Sequence, residues 1–410
     1  MKKFIWIIII STCVIACKTQ KDLGLSIQQK AITLSQKFII TDGHVDLPYR
    51  LKVQNFKLEK EYLGIPVSTD KGDFDYVRAK KGGLDAPFMS IFAPANLQNE
   101  PGASKLLADS LIDMVSGIAT NLPTKFAIAK SPQDVQINYT RTIVSLPLGM
   151  ENGSPIEDDI NNVKYFKDRG ISYITLTHSK NNKICDSSYD TTRIWNGLSP
   201  FGYLVVAEMN KQGIMVDVSH VSDSTFYDVI KTTKVPVIAS HSSCRKFTPG
   251  FERNMSDEML RALKKNNGVI MINFGSTFID NSVKQAQDSI GKSYIAELER
   301  RNISRDSSLA KIMRDNLFNK NSLLWSDVSV VADHIDHVVK IAGINHVGFG
   351  SDFDGVGDSL PKGLKDVGDY PNLIQELIKR GYSDKDIEKI CSKNLFRVWN
   401  EVIEYANNNS

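Results

Sequence analysis

Several histidines and carboxylates of this chain have the types and spacing of ligands for a divalent metal ion. His44 and Asp46 stand two positions apart in the segment 41–46, which reads TDGHVD. Side chains at alternate positions of an extended segment point the same way, so both can reach one ion. Nitrogen and oxygen ligands without thiolate suit zinc or a similar divalent ion. A single His-x-Asp pair is not specific, however, and a site needs further ligands.

Further candidates stand in comparable places, each directly after a short apolar segment. Glu151, His178, His220, His241 and Asp352 follow five different segments of this kind. Four of the seven histidines in the chain are therefore in such places, which random placement would seldom produce. The pattern predicts one metal site that is built from the ends of several segments.

The apolar segments are rich in β-branched residues, and a helical pattern follows each of them. Near-continuous apolar segments are typical of strands that are buried on both faces of a parallel sheet. Eight such units predict an α/β fold, a (β/α)₈ TIM barrel, with a doubly wound open sheet as the alternative. The predicted strands are Phe38–Thr41, Phe88–Ala93, Thr142–Leu148, Ile171–Thr177, Gly213–Val218, Val235–Ala239, Gly268–Asn273 and Val347–Gly350.

In a TIM barrel the active site lies at the carboxyl ends of the strands, which is where the candidate ligands fall. His334, His337 and His346 precede the last strand, so we expect them at the opposite end of the barrel in structural roles. The charged stretch Ser276–Trp325 predicts a helical insertion between strands seven and eight, near one barrel mouth. Whether this insertion covers the site is left open.

Composition narrows the class of protein. The 410 residues carry 50 Lys and Arg against 47 Asp and Glu, a formal net charge of +3, and 41% are hydrophobic. This balance is that of a soluble globular chain and excludes a disordered or multi-span membrane protein. So small a net charge gives no general attraction to nucleic acid, and we expect none to bind.

The N-terminus has the pattern of a bacterial lipoprotein. Two lysines precede a short apolar run, which is too short to span a bilayer and is typical of a signal peptide. The run ends in VIAC, which resembles a lipobox whose Cys17 is acylated. We therefore predict a signal peptide over residues 1–17, a flexible tether over 18–33, and a barrel domain over 34–405. A lipid-anchored protein of the bacterial cell envelope is expected.

Three cysteines remain in the predicted barrel, namely Cys185, Cys244 and Cys391. An odd number permits at most one disulfide and leaves at least one thiol free. No motif indicates a catalytic cysteine.

Beyond single motifs, the chain resembles the membrane (renal-type) dipeptidases, a branch of the metal-dependent hydrolases of barrel fold. The resemblance extends from about residue 40 to residue 400 and keeps the order of the motifs. Its segments are DGHVD at 42–46, GG at 82–83, ENG at 151–153, LTH at 176–178, LSPFG at 198–202, MN at 209–210, DVSH at 217–220, SHSS at 240–243, RN at 253–254 and GFGSDFDG at 348–355.

The resemblance implies a dinuclear zinc dipeptidase that cleaves free dipeptides, and whether it accepts a C-terminal D-residue is left open. His44, Asp46 and Glu151 would hold one zinc ion. Glu151, His220 and His241 would hold the second, with Glu151 bridging the two. A hydroxide between the two ions would attack the peptide carbonyl, since such ions lower the pKa of bound water.

The same resemblance implies roles for three residues that are not ligands. Asp352 would act as general base and then acid, and His178 would donate to the developing oxyanion. Arg253 would bind the substrate carboxylate, for which Arg245 is the rival. Asp354 lies two residues beyond Asp352 and is expected to be structural.

Two departures from the family pattern concern the substrate. The spacing from His241 to Arg253 and the insertion before the last strand are both longer than expected. The alternative function is therefore hydrolysis of a related small amide or lactam, and a more remote one is a non-catalytic peptide-binding lipoprotein. The sequence leaves open whether the chain forms a homodimer.

Overall fold

The structure is a computed structural model and describes residues 26–319 and 324–409. Eight parallel strands form one sheet in the order β1-β2-β5-β6-β7-β8-β9-β10, and β3 pairs with β4 in a separate two-stranded sheet. The strands are β1 Ile40–Val45, β2 Leu84–Phe92, β3 Phe126–Ile128, β4 Val144–Leu146, β5 Leu148–Glu151, β6 Ile171–Thr175, β7 Met215–Asp217, β8 Ile238–Ser242, β9 Val269–Ile272 and β10 Val347–Phe349.

The sheet curves into a barrel because its first and last strands meet just beyond their carboxyl ends. Val45 and Phe353 form a parallel bridge, and the Asp46 amide donates to the carbonyl of Phe353 at 2.8 Å. The Asp352 amide donates in turn to the carbonyl of His44 at 3.1 Å. These bonds join the segments that carry two of the predicted site carboxylates.

Helices follow the strands and cover the outside of the barrel, as predicted for a (β/α)₈ fold. Their apolar faces bury against the strands, which are themselves buried along nearly their whole length. The α-helices are α1 Ile27–Lys37, α2 Leu47–Val53, α3 Tyr76–Gly82, α4 Ala103–Asn121, α5 Pro132–Thr140, α6 Asn161–Asp168, α7 Pro200–Gln212, α8 Asp223–Thr232, α9 Asp257–Lys265, α10 Ser276–Ile279, α11 Asn281–Arg300, α12 Ser308–Asn319, α13 Val328–Ile341, α14 Tyr370–Lys379, α15 Asp384–Glu388 and α16 Asn394–Asn408.

The predicted helical insertion is present between the seventh and eighth barrel strands, β9 and β10. It consists of α10, α11 and α12. The aspartate that caps α11, Asp280, accepts from the backbone amides of Ser282 and Val283. A capped helix of this length fits the charged, helix-forming composition of the stretch.

The prediction of the third barrel strand was wrong in its position, whereas the other predicted strands differ from the observed ones only by shifts of their ends. The segment Thr142–Leu148 contains the short strand β4, which pairs with β3 outside the barrel, and the third barrel strand is β5. Pro147 separates the two. Proline has no amide hydrogen to donate to a strand ladder, so pairing changes partners there.

The predicted flexible tether was wrong for its last residues. Ser26 caps α1, and this helix buries Ala31 and Leu34 in the core, where it packs against α14. Burial of these side chains stabilises a helix in a stretch that is largely polar. The predicted signal peptide, including Cys17, lies outside the described residues.

Cys185, Cys244 and Cys391 are all buried and unpaired. Within the described ranges, no helix is long and apolar enough to cross a membrane.

Candidate active site

The barrel brings the predicted metal ligands together around the carboxylate of Glu151, the last residue of β5. One carboxylate oxygen, Oε2, lies 3.4 Å from Nε2 of His44. The other, Oε1, lies 3.2 Å from Nε2 of His220 and 3.4 Å from Nε2 of His241. Asp46 approaches the same His44 nitrogen at 3.4 Å. Glu151 therefore stands between two groups of ligand atoms, as the bridging role requires.

These side chains fit a divalent metal centre. The side chains form three groups, and within each group the possible ligand atoms lie within 4.8 Å of one another. The groups are His44 with Glu151 and His241, Glu151 with His178 and His220, and His44 with Asp46 and Asp352. Nε2 of His44 and Oδ1 of Asp46 are buried and have no hydrogen-bond partner among the described residues. Buried ligand atoms without partners are costly unless a cation satisfies them.

The electrostatics agree with ligation. Burial opposes ionisation of Glu151, but the surrounding histidines outweigh it and hold the pKa of its carboxyl well below the usual range. Burial lowers the pKa of His220 and His241 well below the usual imidazole range. At neutral pH the site therefore offers the ionised Glu151 carboxylate and the neutral imidazoles of His220 and His241, which are the forms that bind metal. Burial also opposes a charge on His44, but Tyr173, Glu151 and Asp46 outweigh it and raise the pKa of His44 well above the usual range. His44 would therefore release a proton when a metal binds.

Hydrogen bonds behind the site hold two of the imidazoles with Nε2 facing Glu151. The Tyr173 hydroxyl lies 2.9 Å from Nδ1 of His44, and Ser240 Oγ lies 2.7 Å from Nδ1 of His241. Ser240 Oγ also donates to Asp217 at 2.6 Å, so it must accept from His241. Such partners fix the tautomer that leaves Nε2 as a metal ligand. Tyr173 could not be predicted as a site residue from the sequence, because its only signal is a polar-tipped side chain inside an apolar strand.

Asp352 lies beside the ligands and is held by Asn273. The Asn273 amide nitrogen donates to Oδ2 of Asp352 at 2.7 Å. Burial raises the pKa of Asp352 to about 7, with the nearby Asp46 and Glu151 acting in the same direction and His44 against them. A carboxyl group poised near neutrality is suited to general base catalysis.

The loop that carries Asp352 is under local strain. Asp352 and Asp354 both have left-handed backbone angles, with φ of +65° and +67°. Gly355 follows them because a Cβ there would come within 2.2 Å of carboxylate oxygens of both Asp352 and Asp46. Strained backbone of this kind is frequent at functional sites, where the surroundings enforce it.

Asp354 is held away from the metal ligands. Its Oδ1 accepts from the Asp73 amide at 2.6 Å and from Nη1 of Arg50 at 3.2 Å. Arg50 also donates to two backbone carbonyls, those of Lys71 and Phe74. This buried ion pair ties the 352–355 loop to helix α2, which begins directly after Asp46.

His178 follows β6 and approaches the ligand cluster from one side. Its Nε2 lies 3.6 Å from Oε1 of Glu151, and its ring contacts Phe92 and His220. Burial lowers the pKa of His178, with Arg253 adding to this effect and Glu151 opposing it. A neutral imidazole here can donate one hydrogen bond to a substrate oxygen.

The structure separates the two candidate arginines. Arg253 is buried, and it donates to Ser242 Oγ and to the carbonyl of His241, both at 2.7 Å. Arg245 instead forms a two-bond ion pair with Asp223, at 2.7 and 2.6 Å, beside helix α8. Arg253 is therefore the one that lies at the metal ligands, and its Nε has no partner among the described residues.

A cavity of about 540 Å³ opens above the ligand cluster. Tyr49, Phe92 and Tyr189 provide aromatic surface, while Glu151, His178, His220 and Asp352 reach it from below. The insertion contributes Thr277 and Phe278 from α10 and Gln287 from α11. The insertion therefore forms part of the wall of this cavity.

The three remaining histidines have structural partners. His334 bonds to the Cys244 amide and the Ile279 carbonyl, His337 to Asp257, and His346 to the Gly268 carbonyl. The expected position at the far end of the barrel was wrong for His334, because Cys244 and Ile279 follow the carboxyl ends of β8 and β9.

Comparison with known proteins gives a consistent result. Residues 28–410 match the model of the membrane dipeptidase family, peptidase family M19. A dipeptidase of Aspergillus oryzae, aclJ, is 33% identical over 90% of this chain and 79% of its own length. An uncharacterised dipeptidase of Schizosaccharomyces pombe is 29% identical over 91% of this chain and 83% of its own length.

Solved structures show the same fold. The probable dipeptidase PvdM of Pseudomonas aeruginosa has a TM-score of 0.76 and 26% identity, covering 93% of this chain and 99% of that one. A metallo peptidase of Rhodobacter sphaeroides, liganded with a phosphinate mimic of the dipeptide L-Ala-D-Ala, has a TM-score of 0.71 and 22% identity over 89% and 99%. With the family model matching nearly the whole chain, this protein belongs to the membrane dipeptidase family and is a metal-dependent dipeptidase.

Proposed function

We propose that this chain is a dinuclear zinc dipeptidase that hydrolyses the single peptide bond of free dipeptides. The observation that carries the proposal is the position of Glu151, one of whose carboxylate oxygens lies nearest His44 while the other lies nearest His220 and His241. His44 and Asp46 belong to the first group, and His220 and His241 to the second. When bound, two zinc ions would supply a water of lowered pKa as the nucleophile.

The chain's own residues then divide the remaining work. Asp352, held by Asn273, takes a proton from the attacking water and delivers it to the leaving amine. His178 donates to the oxygen of the scissile carbonyl as negative charge develops there. Phe92 and Tyr189 line the cavity and restrict water around the reacting bond.

Recognition of the substrate carboxylate falls to Arg253. Its free Nε and its position beside His241 support a charge-assisted contact with a C-terminal carboxylate. Such a contact would limit the site to short free peptides. The mimic of L-Ala-D-Ala bound by the Rhodobacter sphaeroides neighbour makes a C-terminal D-residue part of the proposal.

We also propose that Cys17 is lipidated and anchors the enzyme in the bacterial cell envelope. The support is the sequence alone, namely the lysines, the short apolar run and the lipobox-like VIAC segment. Metabolic labelling with a fatty acid analogue tests this, because Cys17→Ser should abolish the label.

The activity is tested with the full chain in detergent, assayed with and without added zinc. The panel holds an L-L dipeptide, its L-D isomer and the C-terminal amide of each. We expect zinc-dependent cleavage of the free dipeptides, loss of cleavage with a chelator, and weak cleavage of the amides. Two bound metal ions by elemental analysis with no cleavage of any peptide would overturn the proposal and favour a lactam or another small amide.

A further inference from the structure

A groove leads from the active-site cavity across one side of the barrel mouth. A second cavity of about 590 Å³ shares Phe92, His178 and Ser179 with the active-site cavity. A third, of about 430 Å³, shares Gln98, Asn99, Asn181 and Ile194 with the second. We call the second and third cavities together the outer groove. The outer groove adds room beyond the space that the backbone of a dipeptide would occupy in the active-site cavity.

The outer groove begins away from the proposed carboxylate site, although its wall at residues 190–194 returns toward that site, since Arg193 pairs with Glu252 at 2.5 Å. Arg253 contacts His241 and Ser242 of β8, whereas the groove begins at Phe92, the last residue of β2. In the strand order these two strands are four places apart, which is half of an eight-stranded barrel. A dipeptide whose carboxylate is bound at Arg253 would therefore direct its N-terminal residue toward the groove.

Gln98 provides an acceptor in this groove that lacks a donor. Its amide nitrogen donates to the Asn181 carbonyl at 2.8 Å, which turns Oε1 to the other side. That oxygen is buried, and no described residue donates to it. Gln98 is itself only half-buried and lines both outer cavities, so a turn of its amide toward them would let a ligand there supply the missing hydrogen bond.

The charges of the outer groove are predominantly negative. Two of its four carboxylates pair with its two lysines, Asp158 with Lys183 and Asp190 with Lys180. The other two, Glu100 and Glu157, have no ion-pair partner among the described residues, and Glu157 accepts one hydrogen bond, from the Gly102 amide at 2.5 Å. An acceptor without a donor and an excess of carboxylates both favour a cationic group that donates hydrogen bonds.

We propose that the outer groove is a subsite for a long, positively charged side chain on the N-terminal residue of the substrate, such as lysine or arginine. Gln98 accepts a hydrogen bond from the charged group, and Glu100 and Glu157 attract it. Aliphatic surface for the side-chain stem comes from Ile194, which is 59% exposed. The inference rests on the proposed dipeptidase activity and names its substrate class.

The test compares L-lysyl-L-alanine with L-norleucyl-L-alanine, whose side chain has nearly the same length and no charge. For the zinc-loaded full chain we expect the kcat/KM ratio of the lysyl over the norleucyl substrate to exceed one clearly. The ratio should fall as salt concentration rises, because exposed carboxylates are screened. L-alanyl-L-lysine, which places the cation at the other end, should show no such preference.

Two variants test whether the preference for the lysyl substrate arises in the outer groove. Gln98→Ala should lower the lysyl-to-norleucyl ratio about tenfold, since it removes a hydrogen bond to a charged group. Glu100→Gln should lower it about two- to fivefold, because an exposed ion pair contributes little. Neither residue lies in the catalytic machinery, so cleavage of norleucyl-alanine should stay unchanged. Gln136→Ala and Glu404→Gln, at exposed positions outside the groove, serve as matched controls.

The outcomes separate the two proposals. Cleavage of both substrates at equal efficiency, or an unchanged ratio in Gln98→Ala with native thermal stability, overturns the subsite and leaves the dipeptidase intact. A preference for alanyl-lysine overturns the direction of binding. Absence of cleavage of every dipeptide overturns the proposed function and the subsite that rests on it.

Discussion

The hydroxyl of Tyr173 lies 2.9 Å from Nδ1 of His44, deep in the barrel below the site. Since the same hydroxyl donates to the carbonyl of Gly43 at 3.0 Å, it can only accept from the imidazole. Burial raises the pKa of the Tyr173 phenol, which keeps this donor protonated. The contact therefore places a proton on Nδ1 of His44 and leaves Nε2, which lies 3.4 Å from Oε2 of Glu151, as the nitrogen that a metal would take.

Tyr173→Phe should weaken zinc binding while the fold is retained. Loss of a hydrogen bond behind a histidine ligand commonly lowers metal affinity about 10- to 100-fold. A competition titration with a zinc chelator measures the effect, and Tyr203→Phe on α7 serves as the control. Unchanged zinc affinity in Tyr173→Phe would show that the hydroxyl does not orient His44.

Glu151→Gln should abolish turnover without unfolding the protein. A glutamine amide is neutral and has one acceptor oxygen, whereas the carboxylate is charged and has two. The variant could therefore not offer a negatively charged oxygen to each of two metal ions. We expect activity to fall by more than about 100-fold, beyond the loss typical of a residue behind the ligands. Elemental analysis should show fewer than two zinc ions per chain, with a native circular dichroism spectrum. Retained activity would count against the bridging role.

Arg253→Ala should raise KM for free dipeptides far more than it affects their C-terminal amides. A charge-assisted hydrogen bond contributes about 1.5–3 kcal/mol, so KM should rise about tenfold or more. Arg245→Ala breaks the pair with Asp223 and should leave the preference for a free carboxylate unchanged. If Arg253→Ala raised KM equally for the free dipeptides and for their C-terminal amides, the proposed contact with the carboxylate would be wrong.

Asp85 makes stability depend on pH. Burial raises the pKa of its carboxyl from 3.8 to about 6, against the opposing effect of Lys80 at 3.5 Å. The folded state thus holds this proton more tightly than the unfolded chain does. Below pH 3.8 the group is neutral in both states and costs nothing. Its ionisation destabilises the fold increasingly up to about pH 6, and the full cost remains above that.

Asp85→Asn should therefore stabilise the protein by about 1–3 kcal/mol at pH 8 and by much less at pH 4. Thermal unfolding at the two pH values measures the difference in Tm between variant and parent. Asp168→Asn, at an exposed carboxylate, is the control and should give small changes at both. An equal effect of Asp85→Asn at both pH values would contradict the assigned cause.

Much of the fold and the positions of the site residues could be predicted from local patterns. Apolar β-branched segments predict buried strands wherever they occur, and polar residues directly after them mark strand ends. Glu151, His220 and His241 were found in this way before any distance was known. The segment at 142–148 failed because an apolar pattern cannot tell a barrel strand from a strand that pairs outside it.

Side chains that act from inside strands or from distant segments could not be found in this way. Tyr173 and Ser240 resemble ordinary core residues, and Arg50 pairs with a residue 304 positions away. Gln98 stands in a connecting segment with no motif. Their partners come from different strands and loops, so only the folded chain shows what they contact.

The sequence by itself determined which residues have the types of metal ligands and which predicted strand each of them follows, because residue type and local periodicity are properties of short segments. The tertiary structure decided which oxygen of Glu151 faces which histidines, that Arg253 rather than Arg245 reaches the ligands, and that a negatively charged groove adjoins the active-site cavity. These are relations between segments far apart in the chain, and barrel closure sets their distances.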